Sequence, residues 1–237
     1  MTKSNGETYH AAALEAIGKK DLNNAFALFL KGAESGDADC MFWVGSFYNK
    51  GLVVKKDERE ALKWFRKAAK LGHVGAMNET GLLYAYGKGV QTSPELAYKW
   101  VSAAALKGNP GAVFNLATFI EAGVGCEVNY PKAMGLYNLA RNADSMAASY
   151  ALARMYRNGL GCEPDPVKGF EMCKEAAEKG HREACFDLAI FYRDGEGCEK
   201  DLKLAYEYAD KAAKMNLPVA FQLRADIQKL IDAEKAE

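Results

Sequence analysis

Three groups of residues in this chain could do chemistry: its histidines, its cysteines, and arginines that stand near aromatic side chains. An imidazole can serve as a base or a metal ligand near neutral pH. The three histidines, His10, His73 and His181, form no H-E-x-x-H pair. A thiolate can attack, bind metal or pair in a disulfide. The six cysteines stand at 40, 126, 162, 173, 185 and 198, and no two are spaced as C-x-x-C, so neither a redox pair nor a zinc knuckle is signalled. There is no G-x-S-x-G and no phosphate loop. The paired glycines, such as Gly87 with Gly89 and Gly123 with Gly125, lack the third glycine of a dinucleotide fingerprint. These absences argue against an enzyme, a cofactor and a metal. What remains is recognition: a guanidinium offers a rigid fork of donors suited to a carboxylate.

The elements that must position these residues follow from one interval. Cys126, Cys162 and Cys198 lie 36 residues apart, twice in succession. Stepping by 36 from Gly36 reaches Gly72, Gly108, Asp144, Gly180 and Asn216. Four steps into each unit stand Cys40, Ala76, Ala112, Ala148, Ala184 and Ala220. Fifteen steps in, Gly51, Gly87, Gly123, Gly159 and Gly195 form an unbroken column. Such agreement without insertion or deletion is a tandem array.

Each unit divides into two helices. In the first, small or apolar residues at steps 4, 8, 9 and 12 make one face of a 3.6-residue period, as Ala148, Leu152, Ala153 and Tyr156 do. Asp37, Asn109 and Ser145 are good N-caps for it, and the glycine at step 15 ends it. The second helix opens at Asp57, Ser93, Asn129, Asp165 and Asp201, five strong N-caps in five units. Its buried stripe is predicted to run through Ala61, Trp64, Phe65 and Ala68, and through Ala97, Trp100, Val101 and Ala104. The ends differ. Residues 8–35 keep a second helix, with Asp21 as cap and Ala25, Leu28, Phe29 and Ala33 as its apolar face. The segment from Pro218 to about Glu234 begins like a first helix, then places Arg224, Gln228 and Ile231 where Leu, Tyr and Gly are expected, as a capping helix would. The expectation is an all-α solenoid over 1–237, with an amino-terminal hairpin at 8–35, repeats at 36–71, 72–107, 108–143, 144–179 and 180–215, and a cap at 216–237. Twelve to thirteen helices and no sheet should result.

Composition sets the setting. Thirty-one basic residues balance thirty-one acidic ones, so no global field points to nucleic acid or an acidic membrane. Lys63, Arg66, Lys67 and Lys70 run along one second helix, but Asp57, Glu58 and Glu60 lie close by, which reads as a solvated mixed face. No apolar run approaches the roughly 20 residues that cross a bilayer. The start, Met1 to Glu7, lacks the apolar core of a secretory signal, so the expected compartment is the cytoplasm unless a signal has been removed. The cysteines agree. Cys126, Cys162 and Cys198 take the place of Val54 and Val90 in the first two units, which marks them as small apolar loop anchors. One layer apart, they exceed the roughly 7 Å between Cα atoms that a disulfide spans. Cys173 and Cys185, 12 residues apart across a helix-to-helix turn, leave a bridge open.

The run from Gly180 through Cys185, Tyr192, Gly195, Gly197 and Cys198 to Asp201, with Lys211-Ala-Ala beyond it, resembles the Sel-one-like repeat (SLR) family. Gly36 to Leu71 and Gly72 to Lys107 look equally typical, down to Lys63-Trp64-Phe65 and Lys99-Trp100. The resemblance covers about Gly36 to Asn216, and the short first hairpin is more similar to a tetratricopeptide unit. The third unit departs most, with Ile120 for the tyrosine, Arg141 for the second alanine and Asp144 for the glycine. The resemblance implies a right-handed α/α superhelix, related to tetratricopeptide arrays, whose members mostly hold partner proteins. Some cysteine-rich relatives were linked to penicillin binding, yet no serine here is followed three positions later by lysine. Relatives with disulfides bridge two cysteines within each unit, a pattern this chain does not repeat.

By the same resemblance, first-helix residues off the packing stripe, at steps 6, 10 and 13, face the inner surface. Step 6 reads Phe42, Asn78, Phe114, Tyr150 and Phe186. Arg154 falls at step 10, Arg157 and Arg193 at step 13. Aromatic side chains beside arginines suit a peptide groove, although step-6 aromatics can equally pack between units. The expected function is therefore a non-catalytic adaptor for a protein or peptide, with an acidic or carboxyl-terminal segment on the three arginines. An immunity or inhibitor protein that occludes an enzyme or toxin is the alternative. Neither membrane insertion nor nucleic acid is expected.

Overall fold

The computed structural model describes residues 5–235, so Met1 to Ser4 and the last two residues of the 1–237 array lie outside the described residues. The described chain forms two compact units. The first ends at Val128 and holds α1 (Asn5–Gly18), α2 (Leu22–Glu34), α3 (Ala38–Lys50), α4 (Glu58–Lys70), α5 (Val74–Tyr86), α6 (Pro94–Leu106) and α7 (Pro110–Ala122). The second begins at Asn129 and holds α8 (Tyr130–Asn142), α9 (Met146–Asn158), α10 (Pro166–Glu178), α11 (Arg182–Asp194), α12 (Leu202–Lys214) and α13 (Pro218–Glu234). Among the described residues there are thirteen helices and no strand, as the 36-residue hairpin pattern predicts. The division falls inside the third repeat, between its two helices.

Capping chemistry sets the helix length. From α2 to α12 every helix has 13 residues. Asp57, Ser93, Asn129, Asp165 and Asp201 each accept a backbone N–H of the helix they open. Asp37, Asn109 and Ser145 do the same for first helices, and so do His73 and His181, through Nδ1 at 2.9 and 3.2 Å. Two of the three histidines are thus helix caps, and burial pushes both imidazoles below their usual range. The step-15 glycines close the first helices with φ between 64° and 71°. In α13 that position is Ile231, and the helix runs on to 17 residues.

The small columns are the packing seams. Cys40, Ala76, Ala112, Ala148, Ala184 and Ala220 are all fully buried. A Cβ on Gly45 would meet the Phe65 ring at 2.8 Å, and one on Gly81 would meet Val101 at 2.6 Å, so glycine sets how closely the paired helices approach. Phe29, Phe47, Phe65 and Val101 fill the first unit's core. Leu152, Leu188, Phe191 and Ile227 fill the second's. Trp64 and Trp100 do not complete their stripes as predicted. Both are half-buried, as so large a ring commonly is; Leu62 takes the buried place in α4, and Lys67 lies over the Trp64 ring, 4.2 Å away.

None of the six cysteines is in a disulfide. Cys173 and Cys185 donate to different carbonyls, those of Ala184 at 3.3 Å and Ala177 at 3.7 Å, so the bridge left open by their spacing does not form. Cys126 and Cys198 are half-buried and donate to the carbonyls of Phe119 and Phe191, which fits a loop anchor.

Four loops carry a second glycine with positive φ at step 17, whereas the first repeat places Val53 there with φ 57° and 45% exposure. A β-branched residue in this region is strained by about 1–2 kcal/mol. Val53→Gly should therefore raise stability by up to about 1 kcal/mol after the backbone entropy of glycine is counted. A lower melting temperature for the variant would contradict this.

Candidate functional site

The eight candidate residues all sit on first helices, and the structure gives them different surroundings. At step 6, two of the four aromatics are met by the start of the next repeat. The Phe42 ring stacks on the imidazole of His73, with centroids 4.5 Å apart, and Tyr150 stacks on His181 at 4.6 Å. Asn78 accepts a hydrogen bond from Asn115 at 2.9 Å. Phe186 packs against the core on both sides of it, between α10–α11 and α12–α13. Phe114 is half-buried. For Phe42, Asn78 and Tyr150 the step-6 position is thus first an inter-repeat contact.

At step 13, both forks read as sites for a partner's carboxylate hold carboxylates of the chain itself. Arg157 grips Glu196, with Nε to Oε1 at 2.8 Å and Nη2 to Oε2 at 2.5 Å, and lies over the Phe191 ring at 4.8 Å. Arg193 closes on its neighbour Asp194, with both bonds at 2.7 Å. A guanidinium takes the nearest carboxylate that matches its fork, and each of these arginines has one within its own unit. Arg154 projects from α9 and is exposed.

Three of the candidates are nevertheless brought together. Tyr150, Arg154 and Arg157 line one depression of about 210 Å³ with Asn158, Asp187 and Phe191, on the surface formed by α9 and α11. Phe186 and Arg193 do not line it. Phe42, Asn78 and Phe114 belong to the other compact unit. Asp187 accepts from the Tyr150 hydroxyl at 2.8 Å. Burial pushes the Asp187 carboxyl up from the usual range, against the opposing pull of Tyr150, Arg157 and Arg154. Burial and the Asp187 charge push the Tyr150 phenol up in turn. Asp187 therefore sits in a poorly hydrated wall, while the cations occupy the mouth. The depression can take one side chain or a chain terminus.

Asp187, Glu196 and Asn158 were missed because columns were read within a step. The signal lay across steps. Asn78 with Asn115, and Tyr150 with Asp187, are both 37 residues apart, which joins step 6 of one repeat to step 7 of the next. Among the described residues, no three His, Cys, Asp or Glu are grouped to hold a metal ion. No helix among them is long and apolar enough to cross a membrane.

Comparisons with known proteins agree with this architecture. The family model of the Sel1 repeat matches residues 14–37, 38–73, 74–109, 110–145, 147–181 and 182–217. Among solved structures, a Sel1 repeat protein from Oxalobacter formigenes superposes with a TM-score of 0.86 at 27% identity, over 97% of this chain and 90% of that one. A protective antigen present in uropathogenic Escherichia coli strains, displaying an SLR fold, gives 0.78 at 26% identity, over 94% of this chain but only 47% of its own length. An immunity protein from Pseudomonas aeruginosa gives 0.56 at 21% identity, over 96% of this chain and 84% of that one, a likeness of fold alone. No curated protein matches the chain. With the hairpins, their glycine seams and six matched repeats in place, the chain belongs to the Sel1 repeat family.

Proposed function

We propose that the chain is a non-catalytic scaffold that binds a protein or peptide through the first-helix surfaces of its repeats, with a carboxylate-bearing segment at the α9–α11 depression. One observation carries the reading: Arg157 already binds a carboxylate there in bidentate fashion, over an aromatic ring, with Arg154 one turn away. A partner's carboxylate would exchange with Glu196 or join it through Arg154. Membership of the Sel1 repeat family supports a protein-binding role, and the thiols, unbridged throughout, fit a reducing compartment such as the cytoplasm. The alternative, an immunity or inhibitor protein that occludes a partner enzyme or toxin, draws support from the fold shared with the Pseudomonas aeruginosa immunity protein.

The test is capture of the partner from source lysate, identified by mass spectrometry, and its affinity for variants. Arg154→Ala with Arg157→Ala should weaken binding at least about tenfold, or roughly 1.4 kcal/mol. Helical content should stay unchanged, and only the modest contribution of a part-exposed ion pair should be lost from stability. Undiminished binding by the double variant would move the site elsewhere. A toxin as the captured partner would favour the alternative.

A further inference from the structure

The second helix of the first full repeat carries charge unlike its counterparts. Lys63, Arg66, Lys67 and Lys70 fall at i, i+3, i+4 and i+7 of α4, all exposed, and wall a shallow depression of about 210 Å³. The same four positions of α10 hold Glu171, Lys174, Glu175 and Glu178. Lys63 is paired with Glu60, and Lys67 rests on the Trp64 ring, but Arg66 and Lys70 meet no carboxylate among the described residues. The acidic residues Asp57, Glu58 and Glu60 all lie in the cap and first turn, so the carboxyl-terminal half of the helix is purely basic.

This stripe ends beside apolar side chains that point into solvent. Leu71, immediately after Lys70, is 59% exposed. At the same end of the next second helix, α6, Leu106 is 88% exposed and is followed by the exposed Lys107. Leucine is ordinarily withdrawn from water, and here two project from consecutive helix tips with a lysine next to each.

We infer that these tips form a peripheral docking surface for a membrane of anionic phospholipid. Two features favour lipid over a protein partner. Lysine is depleted in protein–protein interfaces, whereas lysines near an anionic leaflet each strengthen binding. Protein partners are also anchored in pockets, whereas leucines exposed at helix tips fit a fluid surface into which they can sink. The cations meet the lipid phosphates, the leucines enter the headgroup boundary, and no helix crosses the bilayer. This surface lies on second helices of the first unit and is independent of the α9–α11 depression.

The full chain should co-sediment with vesicles of phosphatidylcholine mixed with phosphatidylserine, and not with vesicles of phosphatidylcholine alone. Lys67→Glu with Lys70→Glu should weaken the binding at least about twentyfold. Lys174→Glu with Lys203→Glu, an equal charge change on exposed positions of α10 and α12, should change it less than about threefold. Leu106→Ser should weaken it severalfold at unchanged charge. All three variants replace exposed side chains, and an unchanged circular dichroism spectrum verifies their fold. No binding to the anionic vesicles would overturn the inference. Equal loss in both charge variants would reduce it to non-specific attraction and overturn it too. If Leu106→Ser has no effect while a polyglutamate peptide displaces the vesicles, the stripe docks an acidic protein segment instead.

Discussion

Gly197→Ala should unfold the second unit more readily than any other single-methyl change in its loops. The backbone there has φ 69°, and an added Cβ would stand 2.2 Å from the carbonyl oxygen of Pro166 and 2.5 Å from its carbonyl carbon. The obstacle is backbone, at the start of α10, and cannot swing aside. Left-handed strain of about 1–2 kcal/mol and overpacking of about 1–3 kcal/mol act together. The expected loss is about 2–5 kcal/mol, a fall of very roughly 10 °C in the melting midpoint. Gly180 supplies the control. It too has positive φ, 90°, but a Cβ there would meet nothing within 4 Å. Asp144 and Asn216 occupy the equivalent positions with φ 67° and 59°. Gly180→Asn should therefore cost less than about 1 kcal/mol. Thermal melts that rank the two variants equally would show that close approach, as opposed to φ alone, is not what the loop glycine provides.

Acid should weaken the second unit through Glu175. Its Oε2 accepts from Arg141 at 2.7 and 2.6 Å, and its Oε1 accepts from Ser149 at 3.0 Å and Lys179 at 3.1 Å. Partial burial pushes the carboxyl up, but the bonds from Arg141, Lys179 and Ser149 outweigh it and hold the pKa at about 2. A depressed carboxylate pKa means that the unfolded chain binds the proton more readily. The stabilisation is complete above the unfolded value, near 4.5, and is lost as pH falls from there toward about 2. The depression corresponds to about 3 kcal/mol, and solvent at the rim reduces it to about 2 kcal/mol. Glu175→Gln should lose this amount near neutral pH, and its stability should be flatter than the parent's across the acid window. Denaturant titrations that fall in parallel for parent and variant between about pH 5 and pH 3 would refute the assignment.

That cluster also shows where sequence reading stopped. Arg141 and Asp144 were two of the three residues by which the third repeat departed from the pattern. In the structure they compensate each other's departures. Arg141 binds Glu175, Lys179 bonds both Glu175 and Asp144, the latter at 2.6 Å, and the two deviant positions become the ends of one ion network. Helices, caps and seams were legible because a 36-residue period repeats the same local rule, and each repeat checks the others. Polar contacts between repeats were not legible in this way. They join unlike steps, 34 residues apart for Arg141 with Glu175 and 39 for Arg157 with Glu196, so no single column contains both partners. The same limit explains the arginine forks. Their place on first helices was readable, but Glu196 and Asp194 stand at other steps than the arginines they occupy.

The step-17 glycines carry a consequence for how such a chain can change its length. Gly89 lies against the start of α4, Gly125 against that of α6, Gly161 against that of α8 and Gly197 against that of α10. Four hairpins are thus finished by the loop of their successor. Copying a whole repeat reproduces every such joint, since the new loop finds an identical seat behind it. Removing one residue within a hairpin shifts a glycine off its seat and sets a side chain against backbone. Growth by duplication is accordingly the gentlest genetic change this architecture can undergo, and a single-codon deletion among the harshest, so lineages should differ in repeat number far more than in repeat length.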